Sequence, residues 1–139
     1  MNPRTLFLTR DGLDLHLSDW PAAQPRARML IVHGLGEHSG RYAALAGDLN
    51  ALGISARAFD HRGHGHSQGK RGTVGKDADC LSRDAVEVFN AYAGEGHDLP
   101  FLFGHSMGGL VAMHAVGKLG LRPRGLVASS PALASHGGR

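Results

Sequence analysis

The alternation of short apolar runs with amphipathic segments is the feature that most restricts how this chain can fold. Four runs have the length and composition of buried strands, at residues 28–33, 54–59, 99–103 and 125–128. The segments between them space their apolar residues three and four apart, as helices do, at residues 41–52, 77–93 and 106–119. Strands joined by helices cross over in the right-handed sense and pair in parallel. The sequence therefore predicts an α/β fold with a mostly parallel sheet.

The N-terminal region predicts a hairpin that precedes this alternation. Thr5–Leu8 and Leu13–Leu17 are short, partly alternating apolar runs, joined by Arg10, Asp11 and Gly12. An Asp-Gly pair between two such runs favours a tight turn. With the hairpin included, we expect about six strands.

Composition excludes several classes of protein. The chain has 139 residues, 42% of them hydrophobic, which is enough to form one domain with its own core. Its 21 glycines stand at the ends of apolar runs without a period, so neither a collagen-like chain nor a flexible linker is indicated. The net charge is +3, and the basic residues are scattered without interleaved aromatic residues, so we expect no nucleic-acid binding.

Cysteine usage and hydropathy bear on the compartment. The single cysteine, Cys80, excludes an internal disulfide and is consistent with a reducing environment. Arg83 is its one basic neighbour in the sequence, so we expect a buried or half-buried thiol without special reactivity. The N-terminus lacks the apolar core of a signal peptide, and no stretch approaches the ~18 apolar residues of a spanning helix. We therefore expect a cytoplasmic location.

One serine stands among glycines where a predicted strand meets a predicted helix. Residues 104–108 read Gly-His-Ser-Met-Gly, which fits the pattern G-x-S-x-G. At such a turn the serine is strained, its hydroxyl is lifted above the strand ends, and small residues are needed two positions away on either side. The pattern predicts that Ser106 is a nucleophile. The alternative is a glycine-rich turn whose serine caps the helix.

A second motif follows the first buried strand. Residues 33–38 read His-Gly-Leu-Gly-Glu-His. In enzymes with a serine at a strand-to-helix elbow, this loop donates one backbone N–H to the oxyanion, and the residue after the nucleophile donates the other. The predicted donors are therefore the amides of Leu35 and Met107, and the Leu35 side chain would line an acyl pocket. The alternative is an ordinary turn before a helix.

Several longer stretches resemble one enzyme family, in the order in which that family has them: His33–Tyr42, Phe59–Ser67, Gly69–Gly72, Gly104–Gly109 and Ser129–Leu133. The chain resembles α/β-hydrolases of the monoacylglycerol lipase and lysophospholipase type. The resemblance implies an α/β-hydrolase fold and hydrolysis of medium- or long-chain carboxylic esters through an acyl-enzyme on Ser106. It implies no metal and no organic cofactor. It also implies a mobile cap inserted after the strand that ends near Ala128, through which peripheral membrane contact would occur.

Most of the histidines are expected to be structural. A metal site is an alternative for three at close spacing, His61, His64 and His66. The resemblance instead explains that loop as a turn shaped by Asp60 and Arg62, and we expect no metal there. His33 and His105, which flank the predicted oxyanion site, are expected to orient the loop and the elbow through hydrogen bonds, and Glu37 and His38 to act in the same way.

The chain after Ser106 contains no Asp and no Glu. In α/β-hydrolases the acid and then the histidine follow the serine, so residues 107–139 cannot complete a triad. His114 lies eight residues along the helix, about 12 Å from the serine, and His136 has no later acid. We therefore expect residues 1–139 to be the N-terminal part of a single domain, truncated after about the sixth strand, without the cap and C-terminal strands.

Two consequences and several alternatives follow from this truncation. The last strand would be a bare sheet edge, which favours self-association. The chain could be a catalytically incomplete fragment or a non-catalytic α/β domain that binds lipid or protein. Among enzymes, an aminopeptidase or a thioesterase remains an alternative. An epoxide hydrolase or haloalkane dehalogenase is not indicated, because those relatives carry Asp where this chain has Ser106.

Overall fold

The computed structural model describes residues 5–72 and 78–132. Within those ranges the elements, in chain order, are β1 (Thr5–Leu8), β2 (Asp14–Trp20), β3 (Ala27–Val32), a 3₁₀ helix (Ser39–Tyr42), α1 (Ala43–Ala51), β4 (Ile54–Phe59), α2 (Ala78–Ala93), β5 (Phe101–His105), α3 (Met107–Gly117) and β6 (Leu126–Ser129). None of these helices combines the length and the apolarity that crossing a bilayer requires.

The six strands form one sheet in the order β1-β2-β4-β3-β5-β6. β1 and β2 are antiparallel, β2 is antiparallel to β4, and the remaining pairs are parallel. The predicted α/β class, the N-terminal hairpin and the mostly parallel sheet are confirmed. β2 is longer than predicted and runs to Trp20, because its second half pairs with β4.

Helices cover both faces of the sheet. α1 packs on the face formed by alternate residues of β3 and β4, including Ile31 and Ala58. α2 and α3 pack on the opposite face, over Leu30, Phe59 and Leu102, all fully buried. The predicted apolar stripe of α2 is buried, as expected, at Leu81, Ala85, Val88, Phe89 and Tyr92. Asp77, the predicted start of that helix, lies outside the described residues.

The first helix differs from its prediction at both ends. The segment predicted as one helix over residues 41–52 begins as a 3₁₀ turn and becomes α-helical only at Ala43. Leu52, placed on the apolar stripe by spacing, is 58% exposed. It follows the last helical residue, so the backbone no longer directs its side chain at the sheet. Gly53, with φ of 80°, ends the segment as predicted.

β6 lies at the sheet edge and has β5 as its one hydrogen-bonded neighbour within the described part of the chain. It is also poorly covered, since Leu126 and Val127 are 39% and 44% exposed. The carboxyl ends of β3, β5 and β6 meet at one end of the sheet, where both glycine-rich motifs begin.

Candidate active site

Ser106 forms the sharp turn between β5 and α3. Its φ of 57° and ψ of −120° lie outside the conformations that an L-residue prefers, at a cost of about 1–3 kcal/mol. Backbone hydrogen bonds hold it there, because its N–H donates to Ser129 O (2.9 Å) and its carbonyl accepts from Gly109 N (2.9 Å) and Ala132 N (3.2 Å). The side chain makes no capping hydrogen bond to α3. The alternative in which this serine merely caps the helix is therefore wrong.

The flanking glycines are required by space. A Cβ on Gly104 would lie 2.2 Å from Gly108 O, and a Cβ on Gly108 would lie 2.1 Å from Val32 O. Both distances are far inside van der Waals contact, and the atoms met are backbone atoms that cannot turn away. The glycines therefore let α3 start directly against the end of β3, with Ser106 half-buried at the turn.

The 33–38 loop lies against this elbow. A Cβ on Gly34 would be 3.3 Å from Ser106 Cβ and 3.2 Å from His105 O, so the loop and the serine are in close contact. Leu35 lies inside a turn in which Glu37 N donates a hydrogen bond to Gly34 O (3.2 Å). Leu35 is 60% exposed. The structure thus brings together the segments that carry the predicted nucleophile and donors.

The two predicted donor amides are unused by the rest of the described structure. Met107 is the first residue of α3, where backbone N–H groups have no partner within the helix. Neither its amide nor that of Leu35 donates a hydrogen bond to another residue in 5–72 or 78–132. Two such amides beside a serine hydroxyl can bind a developing oxyanion.

Glu37 fixes the loop from within. Its Oε1 accepts hydrogen bonds from Gly34 N (2.7 Å) and from the Tyr42 hydroxyl (2.7 Å). Burial raises the pKa of Glu37, but these two donors outweigh burial, so its pKa lies below the ordinary value. Burial and the neighbouring carboxylate raise the pKa of Tyr42, which remains a hydroxyl donor. The expected orienting role of Glu37 is confirmed, and its partner Tyr42 was not predicted.

His33 and His61 join the ends of β3 and β4 beneath the loop. His33 Nε2 accepts from His61 N (3.0 Å), so its proton sits on Nδ1, which donates to Gly34 O (2.7 Å). His61 Nε2 donates to His33 O (2.9 Å). Burial lowers the pKa of His33 to about 4 and that of His61 well below its ordinary value. Both rings are neutral structural groups, as expected for His33.

His105 and Asp60 also act through hydrogen bonds. His105 Nδ1 lies 3.1 Å from Ser129 Oγ, which ties the elbow to β6. Asp60 is 1% exposed and accepts from Ser39 N (2.6 Å) and His66 N (2.9 Å), so it shapes the turn as predicted. Burial raises the pKa of Asp60, and these amides more than offset it, so its pKa is lowered.

Arg62 shapes the same loop through partners that the sequence did not reveal. Its Nε donates to the fully buried Asp84 (2.7 Å), and its Nη1 donates to Asp11 (2.9 Å). Asp84 also pairs with Arg10 (3.0 Å). The network joins the β1–β2 turn, the loop after β4 and α2.

The histidine cluster does not assemble as a metal site in the structure. In residues 5–72 and 78–132, no three His, Cys, Asp or Glu side chains are arranged to hold an ion. His61 is committed to His33, and the His66 ring packs on His16, with centroids 5.3 Å apart.

The Ser106 hydroxyl has no hydrogen-bond partner among the described residues. No general base for it is therefore present in that part of the chain. His114 faces α2 instead, with Nδ1 3.2 Å from Ser82 Oγ and Nε2 3.3 Å from Asp79, so the prediction that it is no base is confirmed. His136 lies outside the described residues.

Cys80 is half-buried as predicted. The expectation that Arg83 is its one basic neighbour is wrong, because Arg10 Nη2 lies 3.5 Å from its sulfur. Arg10 comes from the β1–β2 turn, 70 residues away in the sequence.

Comparison with known proteins agrees with this geometry. Residues 23–138 match the Hydrolase_4 family, described as serine aminopeptidase, S33. Monoglyceride lipase of Rattus norvegicus is 36% identical over 132 residues, which are 94% of this chain and 43% of that protein. Monoacylglycerol lipase of Mycolicibacterium smegmatis is 34% identical over 119 residues, 85% of this chain and 42% of that protein.

Solved structures give the same result. The crystal structure of Paleococcus ferrophilus monoacylglycerol lipase superposes with a TM-score of 0.73 at 40% identity, covering 87% of this chain and 44% of that one. A soluble variant of monoglyceride lipase from Saccharomyces cerevisiae, in complex with a substrate analogue, superposes with a TM-score of 0.72 at 25% identity. The match covers 94% of this chain and 45% of that one. The chain spans less than half the length of these relatives. With its sheet order, elbow and family match, the chain belongs to the Hydrolase_4 family of α/β-hydrolases.

Proposed function

We propose that this chain supplies the nucleophile and the oxyanion donors of a serine hydrolase acting on carboxylic esters of lipid type, monoacylglycerols or lysophospholipids. The single observation that carries the proposal is Ser106 itself. The residue is held at positive φ with its hydroxyl unused by helix α3, against a loop in which the Leu35 amide has no acceptor among the described residues. Such strain is retained where the surrounding structure over-determines it and where it serves a function.

The reaction proceeds in two displacements. Ser106 Oγ attacks the ester carbonyl carbon and gives up its proton to a base, and the carbonyl oxygen becomes an oxyanion bound by the amides of Leu35 and Met107. Collapse breaks the ester bond, the alcohol leaves with the proton, and the acyl group stays on Ser106. Water then attacks the acyl-enzyme, which releases the fatty acid. No step needs a metal or an organic cofactor.

We also propose that residues 1–139 are the N-terminal part of this domain, and that the acid and the base lie in chain outside them. The support is the absence of Asp and Glu after Ser106, together with the order serine, acid, histidine in α/β-hydrolases. The lipid substrate is supported by the names of two relatives, a monoglyceride lipase and a monoacylglycerol lipase. Their alignments cover 94% and 85% of this chain. Membrane contact through a cap, and self-association through the β6 edge, stay predictions.

Labelling and turnover of the full-length protein test the proposal. A fluorophosphonate should modify Ser106, and 1-monooleoylglycerol or lysophosphatidylcholine should be hydrolysed. Ser106→Ala should lower kcat about a million-fold. Ser130→Ala is the matched control, because Ser130 is exposed and also has positive φ (44°), and it should retain activity. Hydrolysis of aminoacyl anilides in preference to lipid esters would contradict the lipid assignment, and turnover unaffected by Ser106→Ala would contradict the mechanism.

The absence of a base near Ser106 favours a second candidate for the chain by itself, a domain that binds acyl ligands without turnover. A serine hydrolase that has lost its triad keeps about 10³–10⁴-fold of rate over water through its oxyanion hole and binding. Saturable acyl binding by the full-length protein, without fluorophosphonate labelling, would support this candidate over the hydrolase.

A further inference from the structure

A groove with an apolar floor runs along the outer side of α2, far from the candidate active site. Two cavities, of about 310 and 260 Å³, share Val86 and Leu119 as lining residues and so form one continuous groove. We call it the α2 groove. Leu119 follows the C-terminal end of α3, whereas Ser106 precedes its first residue, so the length of that helix, about 16 Å, separates the two sites.

The floor of the α2 groove is a recessed apolar surface. Phe89 and Leu121 form its base at 1% and 6% exposure, while Leu99 stands at its side with 48% of its surface exposed. Exposed apolar area that is gathered in one depression, and not scattered singly, is typical of a binding site. The α2 groove follows helix α2 from Arg83 to Asn90, which is about 10 Å of helix. An alkyl chain lying along the helix would contact Val86 and Leu119, which line both cavities.

The rim of the groove is positive. Arg10 and Arg83 stand at one end and Arg122 at the other, and among the described residues Glu87 is the one carboxylate that lines either cavity. Glu87 is neutralised by its ion pair with Arg10. The surface lining the cavity between Arg10 and Arg83 is apolar, since their aliphatic stems, and not their charges, face the groove.

Arg122 is the cation that remains available. Its side chain is exposed and makes no hydrogen bond or ion pair with any residue of the described ranges. Arg83, by contrast, pairs with Asp79 (3.3 Å). An anion at the Arg122 end of the groove would therefore meet an unpaired guanidinium, with an apolar channel leading away from it.

We propose that the α2 groove binds a medium-chain fatty acid, with its carboxylate on Arg122 and its alkyl chain over Leu119 and Val86. The single unpaired guanidinium suits one carboxylate, and arginine recognises carboxylates through a planar pair of N–H donors. A bilayer would need apolar side chains that protrude in a plane, whereas this floor is recessed. The inference rests on the groove alone and does not depend on Ser106 being a nucleophile.

Titration calorimetry of the full-length protein with dodecanoate, below its micellar concentration, tests the proposal. Pre-treatment with a long-chain alkyl fluorophosphonate blocks any acyl site at Ser106. Arg122→Glu should weaken dodecanoate binding about tenfold or more. Lys118→Glu is the matched control, because this exposed lysine makes the same charge change four residues away and does not line the groove. It should change the affinity less than about twofold.

The outcomes separate the alternatives. Dodecanol should bind at least about tenfold more weakly than dodecanoate, because it lacks the carboxylate. Equal losses in the two variants, or tight binding that neither variant changes, would overturn the proposal. Binding to phosphatidylglycerol vesicles without binding of dodecanoate would overturn it in favour of a membrane surface. Dimerisation abolished by Arg122→Glu would overturn it in favour of a second copy. A failure of fluorophosphonate to label Ser106 would count against the proposed function, whereas the difference between Arg122→Glu and Lys118→Glu would still report on the groove.

Discussion

Acid should destabilise this fold through the buried histidines beneath the loop. His33 is fully buried and its folded-state pKa is about 4, against 6.5 for an ordinary histidine. The unfolded chain therefore takes up a proton at a pH where the folded chain does not, and stability falls as pH falls from about 6.5 to about 4. Between about pH 7.5 and about pH 4.5, His33 should cost the fold about 2.5 kcal/mol. His61, whose pKa is lowered in the same sense, adds to that loss.

Urea unfolding of the full-length protein at several pH values measures this effect. His33→Gln removes the titrating ring while its amide oxygen can still accept the hydrogen bond of His61 N, so the pH dependence should flatten by about 2.5 kcal/mol over that range. The variant should also lose about 1–2 kcal/mol near pH 7.5, because the bond to Gly34 is lost. His97→Gln, at an exposed position, should leave the profile unchanged. Parallel profiles for wild type and His33→Gln would refute the reasoning.

Two further substitutions test the elbow and the ion-pair network. Gly108→Ala should displace α3, because the added Cβ meets a backbone oxygen at 2.1 Å, and fluorophosphonate labelling should be abolished. Gly117→Ala is the control in the same helix, because its Cβ meets nothing within 4 Å; it should stabilise the fold by up to about 1 kcal/mol in thermal melts. Asp84→Asn should destabilise the fold by about 3 kcal/mol in urea titrations, because Arg10 and Arg62 both lose a buried counter-ion. Asp79→Asn is the control at a half-exposed ion pair and should lower the free energy of unfolding by less than about 1 kcal/mol. Equal effects within either pair would contradict the packing and charge arguments.

The parts of the fold that depend on local pattern could be predicted from the sequence. Each buried strand is an apolar run, such as 28–33, and each crossover helix repeats its apolar residues every three or four positions. The elbow was also predictable, because its glycines answer a steric need confined to a few residues. Whether Ser106 caps its helix could not be decided from the pattern, since both alternatives place a serine before a helix. The backbone conformation and the missing capping bond decide it.

What escaped prediction depends on residues far apart in the sequence. Arg62 lies 22 residues from Asp84 and 51 from Asp11, and only the folded sheet brings the three together. The same holds for Arg10 beside Cys80. Leu52 was misplaced for a different reason: periodicity extends a helix for as long as the pattern continues, whereas the helix ends where its hydrogen bonds do.

The conformation of Ser106 depends on β6, a poorly covered strand at the edge of the described sheet. Ser106 N donates to Ser129 O at the end of β6, and Ala132 N, just beyond that strand, donates to Ser106 O. A strained residue keeps its geometry only while its partners are rigid, and edge strands with few buried contacts open most easily. β6 is such a strand, with Leu126 and Val127 largely exposed. Opening of β6 would therefore release two of the backbone hydrogen bonds that hold Ser106 at positive φ.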